Sequence, residues 1–163
     1  MNNQSALTLV QQCEFDLQRI DLIIQALGST NNAVPYLTKY AIIKVCGTLE
    51  QCFKIIISDF SCSGQSTQVK KFVDISFRES SINPNLDNIH KSLKKFDEQW
   101  NDNFKNLLNA DPDVTRIRSS ITSLNNARNE FAHGGNPTLT FSDVNSYFTD
   151  AKKIIDFIDQ SLI

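Results

Sequence analysis

The sequence lacks the excess of positive charge that is typical of proteins binding long nucleic acids. It contains 16 Lys and Arg residues against 18 Asp and Glu, which gives a net charge of −2 and a pI of about 5.6. Proteins that follow a phosphate backbone usually carry a basic face. The composition gives no support for such a protein, so any RNA contact must come from a local basic cluster or from a small cleavage site.

Long apolar runs are also missing. Residues 1–20 have no basic segment followed by an apolar stretch, so we expect no signal peptide. The longest apolar stretches fall far short of the roughly 20 residues that a membrane-spanning helix needs. We therefore expect a cytoplasmic protein with no membrane partner.

Cysteines are few, and none of them has the spacing of a zinc site. The four are Cys13, Cys46, Cys52 and Cys62, and no pair forms a CxxC motif. Cys46 and Cys52 are six residues apart on a predicted helix, which places them on different faces. We expect buried free thiols in a reducing compartment, with no metal and no cofactor.

Helical periodicity dominates what is present. Apolar residues recur at three- and four-residue steps along most of the chain, and strand signals, repeats and linkers are not found. A chain of 163 residues is long enough for one domain with a real core. We predict an all-α bundle of about five to six helices filling a single domain, 1–163, in which the 11 Phe residues contribute mainly to the core.

Local signals place the first three helices. The first is predicted over about residues 4–28, where Gly28 ends it. The second begins with Pro35 in its first turn and continues to about residue 61, and it is apolar on more than one side. A third, shorter helix fits residues 66–79. We expect the two long early helices to pair.

Three further helices complete the prediction. The fourth opens at Pro84 and continues through Leu107. The fifth starts with Asp111-Pro112 as helix cap and first residue, and it stops at Gly134. Thr140 and Asp143 resemble the capping box of a sixth helix that reaches the C-terminus. The last two helices should meet at the turn over residues 134–139.

The end of the fifth helix combines the side chains that carry chemistry. Residues 128–134 read RNEFAHG, with a permanent cation at Arg128, an amide at Asn129 and an imidazole at His133. Asn129 and His133 are four residues apart and share a helix face, so the amide could hold the ring. Arg128 is about 140° away from His133 around the helix, unless its long side chain curls or a second copy relieves the constraint.

These groups suit RNA cleavage without metal. Attack of a 2′-hydroxyl on the adjacent phosphorus needs a base, an acid for the leaving 5′-oxygen, and a cation for the phosphoryl oxygens. Histidine transfers protons near neutral pH, and arginine offers a planar fork to phosphate. The structural alternative is an ordinary helix ending, in which His133 complements the helix dipole and Gly134 supplies the cap.

At this segment the sequence resembles the HEPN superfamily, whose signature is Arg, four to six residues, then His, often with a polar residue after Arg. Arg128, Asn129 and His133 fit the shortest spacing, and Gly134 and the capped final helix are also similar. The resemblance extends as a pattern over about residues 34–163, with residues 1–30 as an added N-terminal helix. It is closest to stand-alone bacterial proteins of the RiboL-PSP-HEPN type.

The resemblance implies an endoribonuclease of a toxin–antitoxin or phage-defence system. It implies a homodimer whose Arg and His residues meet in a shared cleft and cleave RNA without metal, leaving a 2′,3′-cyclic phosphate. Arg128 would then bind the phosphate, His133 would act as acid or base, and Asn129 would position His133 or the substrate. An antitoxin or a defence-system partner would be expected beside the RNA substrate.

Two residues of the second helix are possible accessories to this site. Glu50 lies in an apolar helix, where a charge needs a partner, so we consider a pairing with Arg128 beside the alternative of an exposed or structurally paired carboxylate. Tyr40 could reach the site, and the alternative is a half-buried ring whose hydroxyl is hydrated.

Other charged residues are weaker candidates. We expect His90 to be a surface histidine, because no carboxylate or cysteine stands at ligand spacing. A basic patch could steer RNA or simply be a solvated helix face; its candidate residues are Lys91, Lys94 and Lys95, with Lys70 and Lys71. Arg116 and Arg118 lie upstream of Arg128 and could widen a basic cleft.

Two alternatives to a nuclease stay open at this point. A non-catalytic domain of the same type would bind RNA, a nucleotide or a protein partner and cleave nothing. A helical bundle in which the motif is a coincidence would be a monomer, with Arg128 and His133 far apart.

Overall fold

The computed structural model describes residues 1–162, and this range contains seven α-helices and no β-strand. No helix in that range is both long and apolar enough to cross a membrane. The all-α class is confirmed, although the helices outnumber the five to six predicted. The elements are α1 (Gln4–Leu27), α2 (Val34–Cys62), α3 (Thr67–Val73), a π-helical turn (Asp74–Arg78), α4 (Leu86–Phe96), α5 (Glu98–Ala110), α6 (Val114–Ala132) and α7 (Phe141–Ser161).

Helix α2 lies at the centre of the bundle. Helices α1 and α7 pack along it, and α6 packs against both α2 and α7. Helix α5 packs on α7, and α4 packs on α5. The α2 side chains Leu49, Phe53 and Ile57 are almost fully buried, which accounts for the broad apolar surface of this helix. The predicted pairings of α1 with α2 and of α6 with α7 are confirmed.

Several helix ends follow the local signals in the sequence. Gly28 ends α1 with a φ of 84°, a conformation that favours glycine. Pro35 lies in the first turn of α2. The Thr140 hydroxyl accepts from the Asp143 backbone N–H, and the Asp143 carboxylate accepts from the Thr140 backbone N–H, so the predicted capping box is present.

The predicted fourth helix is in fact two helices, which corrects the prediction. Asp97 has extended backbone, with φ −157° and ψ 129°; its N–H donates to Leu93 at the end of α4, and its side chain accepts from Gln99 N at the start of α5. One residue therefore ends one helix and caps the next. The first of the two also begins later than predicted, because Asn85 rather than Pro84 caps it.

Two other boundaries differ from the prediction. Helix α6 begins at Val114 after Asp113, not at Pro112. The Asp111 carboxylate accepts from Asp113 N in a turn and pairs with Lys153, so it does not cap the helix. The predicted third helix ends as α-helix at Val73 and continues as the π-helical turn.

The aromatic side chains are not all core residues. Seven of the 11 Phe residues are buried or partly buried, but Phe15, Phe60, Phe72 and Phe131 are 37–70% exposed. The expectation that the Phe residues contribute mainly to the core is therefore confirmed for seven of them, whereas these four lie on outward faces of their helices. The four cysteines are buried as predicted, and burial raises the pKa of Cys46 and Cys52 to about 12.

Candidate active site

The last turn of α6 fixes the position of His133. The His133 N–H donates to Asn129 O, Gly134 N–H donates to Phe131 O, and Gly135 N–H donates to Glu130 O at 2.8 Å. Gly134 has a φ of 83°. These hydrogen bonds satisfy backbone carbonyls at the C-terminal end of α6. They require a residue with left-handed backbone conformation directly after His133. The imidazole is exposed at the end of a well-defined helix.

Arg128 is held by the amide that follows it. Its Nη1 donates to Asn129 Oδ1 at 3.2 Å, and both side chains are partly exposed. We expected Asn129 to hold the His133 ring, but within residues 1–162 that ring has no hydrogen bond. His133 has φ −94° and ψ 14° and has left the helical conformation, so the alignment of residues four apart is lost. The remaining N–H groups of Arg128 are left for another acceptor.

The side chain of Asn83, in the loop before α4, is also hydrogen-bonded to Asn129. Asn83 Nδ2 donates to Asn129 Oδ1 at 3.2 Å, so one amide oxygen joins the loop, Asn129 and Arg128. The backbone oxygen of Asn83 accepts from Asn88 Nδ2 at 2.9 Å. Asn83 therefore restricts the arrangement of Arg128 although it lies 46 residues from Asn129.

Glu50 anchors the same loop to α2. Its Oε1 accepts from Ile82 N at 3.1 Å and from Lys54 Nζ at 3.2 Å. Lys54 is 8% exposed and also donates to Ser80 O, so its charge is paired where water is scarce. Glu50 is therefore a structurally paired carboxylate, which was the alternative to an ion pair with Arg128.

Cys46 marks the place where these groups approach α2. Burial raises its pKa to about 12, the positive charge of Arg128 lowers it, and the negative charge of Glu50 raises it. The Sγ of Cys46 lies 3.6 Å from Leu124 O of α6. Arg128 of α6 and Glu50 of α2 therefore both act on the pKa of one thiol, and no ion pair joins them among residues 1–162.

Lys39 ties the segment around His133 to α2. Its Nζ donates to Asn136 Oδ1 at 2.7 Å. The same ammonium lies 5.4 Å from the ring centre of Phe131 and 5.6 Å from that of Tyr36, within the range of cation–π attraction. Lys39 thus contacts Phe131 before His133 and Asn136 after it, and it holds the loop that follows His133.

An exposed apolar stripe lies on α2 beside these contacts. We call it the α2 aromatic face; it consists of Tyr36, Tyr40 and Ile43, which are 72%, 54% and 39% exposed. Their spacing of four and three residues puts them on one side of the helix. Within residues 1–162, Tyr40 forms no hydrogen bond, ring contact or cation–π contact, so a role for its hydroxyl in the site stays a prediction.

The basic residues proposed to contact RNA separate into two kinds. Arg116 donates to Asp150 Oδ1 at 2.6 Å and to Asp113 Oδ2 at 2.8 Å. Asp150 is fully buried, so Arg116 has a structural partner, and a contact between Arg116 and RNA stays a prediction. Arg118 is exposed and donates one N–H to Asn109 Oδ1. The lysines lie exposed on α3 and α4, namely Lys70, Lys71, Lys91, Lys94 and Lys95.

His90 is not the surface histidine that we expected. Its Nδ1 lies 2.8 Å from Asn101 Oδ1, and its ring packs edge-on against Phe104. Burial lowers its pKa below the ordinary value of 6.5. The break at Asp97 folds α5 back beside α4, which covers a histidine that a continuous helix would leave in solvent.

Sequence reasoning missed three residues of this neighbourhood, Lys39, Asn83 and Asn136. Their bonds join residues 97 and 46 positions apart. A single sequence carries no signal for pairs at such separations, and an Asn in a loop is most often a turn residue.

Comparisons with known proteins give one match. The family model described as RiboL-PSP-HEPN matches residues 12–163. This range includes most of α1 in addition to residues 34–163, whose pattern resembles the HEPN superfamily. No curated protein and no solved structure matches this chain.

Proposed function

This chain belongs to the RiboL-PSP-HEPN family, and on that premise we propose that it is a metal-independent endoribonuclease whose active unit is a homodimer. The observation that carries the proposal is the end of α6, where Arg128 is held by a neighbouring amide and an exposed His133 follows within the same helix turn and cap. RNA cleavage is common in this family. Membership therefore supports a catalytic role for these residues more strongly than their spacing alone does.

The residues have distinct roles in the proposed reaction. The 2′-oxygen attacks phosphorus and loses its proton to a base, and the bond from phosphorus to the 5′-oxygen breaks as that oxygen receives a proton. The products are a 2′,3′-cyclic phosphate and a 5′-hydroxyl. Arg128 binds the non-bridging oxygens as negative charge develops on them, His133 transfers protons, and Asn129 positions Arg128.

The need for both an acid and a base supports a second copy in the active unit. The chain has two histidines, and the ring of His90 is half-buried and bonded to Asn101. The second imidazole would then be His133 of the partner. The α2 aromatic face and Phe131 offer exposed apolar surface next to the site, as expected of an interface between copies.

The proposal extends to the biological setting that the resemblance implies. We place the protein in the bacterial cytoplasm as a toxin or phage-defence effector, held in check by an antitoxin or a defence-system partner. Expression of the wild-type chain should then slow growth, and expression of the Arg128→Ala or His133→Ala variant should not.

The direct test is RNA digestion in EDTA. Purified wild-type protein should cleave single-stranded RNA and leave cyclic phosphate ends, and His133→Ala should retain the fold but lose cleavage. Full activity in that variant would refute the role of His133. If the wild-type dimer cleaves no RNA, the non-catalytic interaction domain becomes the better account.

A further inference from the structure

A groove beside Arg128 and Asn129 is not used by the proposed reaction. It lies between the start of α4 and one face of α6 and has a volume of about 350 Å³. We call it the amide groove; its polar lining includes Asp87, Arg118, Thr122, Asn125, Asn126 and Asn129. The α6 members recur at three- and four-residue steps, so they form one continuous polar face.

The amide groove is continuous with the candidate active site. Asn129 lines the groove and also accepts the hydrogen bond from Arg128. A strand of RNA whose phosphate lies on Arg128 would therefore have a neighbouring nucleotide within reach of the groove.

One buried group in the lining has an unsatisfied acceptor. Asn125 is 4% exposed, and its Nδ2 donates to Ile121 O at 2.8 Å and to Pro84 O at 3.2 Å. Its Oδ1 has no partner among the described residues. The two donor bonds fix which end of the amide is oxygen, and Asn125 belongs to the lining of the groove. A buried acceptor without a donor is costly, and a ligand or water that brings an N–H or O–H would relieve that cost.

The charges of the lining favour a neutral, hydrogen-bonding ligand. Arg118 contributes one positive charge and Asp87 one negative charge, and both are exposed. The carboxylate would repel a phosphate, whereas it can accept from the N–H groups of a base, and the amides can both donate and accept. Bases in single-stranded RNA present these edges unpaired.

We propose that the amide groove binds one nucleobase of the RNA substrate, next to the phosphate that Arg128 holds. The inference rests on the proposed function, because the base belongs to the substrate of that same site. Asn126 and Thr122 are exposed uncharged residues of the groove that can contact the base directly. The groove thus gives the site a preference for the nucleotide beside the cleaved bond.

The test is a binding measurement that needs no cleavage. In a His133→Ala background, fluorescence anisotropy would follow a labelled single-stranded RNA and an abasic ribose-phosphate strand of equal length. Asn126→Ala should weaken RNA binding roughly fivefold, the value of about one hydrogen bond, and leave binding of the abasic strand unchanged. The matched control is Asn106→Ala, an exposed Asn on α5, which should alter neither.

The outcomes separate this proposal from the nuclease. Equal RNA affinity in the Asn126 and Asn106 variants would overturn the base site, even if wild-type protein cleaves RNA. Equal weakening on both strands would assign the groove to the backbone and also overturn it. RNA binding that depends on Asn126, in a protein that cleaves nothing, would support the groove and refute the nuclease.

Discussion

Asn129 accepts a hydrogen bond at 3.2 Å from the guanidinium of the residue before it, Arg128. The same oxygen receives Asn83 Nδ2 at 3.2 Å. Two donors thus share one acceptor, which restricts both the amide and the cation. Arg128 and His133 lie on different sides of the helix. The guanidinium of Arg128 is nevertheless oriented, because Asn129 and the loop before α4 hold it.

Loss of the Asn129 side chain should weaken catalysis through Arg128. We expect Asn129→Ala to lower kcat/KM for RNA cleavage about tenfold, the value of one hydrogen bond to a charged group. The fold should persist, since alanine is the better helix former. Kinetics of the variant beside Asn106→Ala would check this, and equal rates would remove Asn129 from the site.

Gly134 should matter for both stability and activity. Gly28 and Gly134 have φ values of 84° and 83°, and an added Cβ would meet open space at both positions. Gly28→Ala and Gly134→Ala should each cost about 1 kcal/mol of unfolding free energy from backbone strain. Only Gly134 follows His133 directly, so only Gly134→Ala should also reduce cleavage. Similar activity in both variants would show that the helix end does not position the imidazole.

Removal of Arg116 should act on stability. Asp150 is fully buried, and besides Arg116 it accepts from Ser120 Oγ at 2.7 Å. Arg116→Ala would leave that buried carboxylate without its cation and should lower the free energy of unfolding. Arg19→Ala, at an exposed arginine of α1, should cost under about 0.5 kcal/mol. Urea denaturation of the two variants is the measurement, and equal midpoints would contradict the structural role.

His90 should make the fold sensitive to acid. Burial lowers its pKa below 6.5 in the folded protein, and Lys105 and Arg118 lower it further, although Asn101 and Asp87 oppose the shift. The unfolded chain then binds more protons as the pH falls through about 6.5, so the His90 contribution to stability is present above that pH and lost below it.

Replacement of His90 should flatten this dependence. In His90→Asn the change in unfolding free energy across pH 6.5 should be smaller than in the wild type, whatever the absolute stability. His133→Ala removes the other histidine of the chain and serves as the control. An unchanged slope in the His90 variant would show that this ring is not responsible.

The sequence allowed prediction of those features that depend on neighbours in the chain. Gly28, Pro35 and the pair Thr140 and Asp143 end or begin helices through contacts within one turn, so their signals are readable. Asp97 was missed because the apolar spacing continues through it, and only packing of α5 beside α4 selects its extended backbone.

In the candidate site, too, local features could be predicted from the sequence and long-range contacts could not. Arg128 and His133 could be proposed from the sequence because their spacing is local and resembles that of a known family. Partners of these residues, such as Asn83 and Lys39, come from distant parts of the chain. Their positions depend on how α2 and α6 pack, which periodicity alone does not specify.

The account depends most on two chains sharing one reaction site. Co-expression of wild-type and His133→Ala chains under different tags, followed by tandem purification, gives a heterodimer that keeps one intact chain but only one of the two His133 imidazoles. If both imidazoles act at one shared site, this heterodimer should cleave RNA in EDTA far more slowly than half the wild-type rate. A heterodimer that cleaves at half the wild-type rate would show that each chain has a complete site of its own and would contradict the shared site.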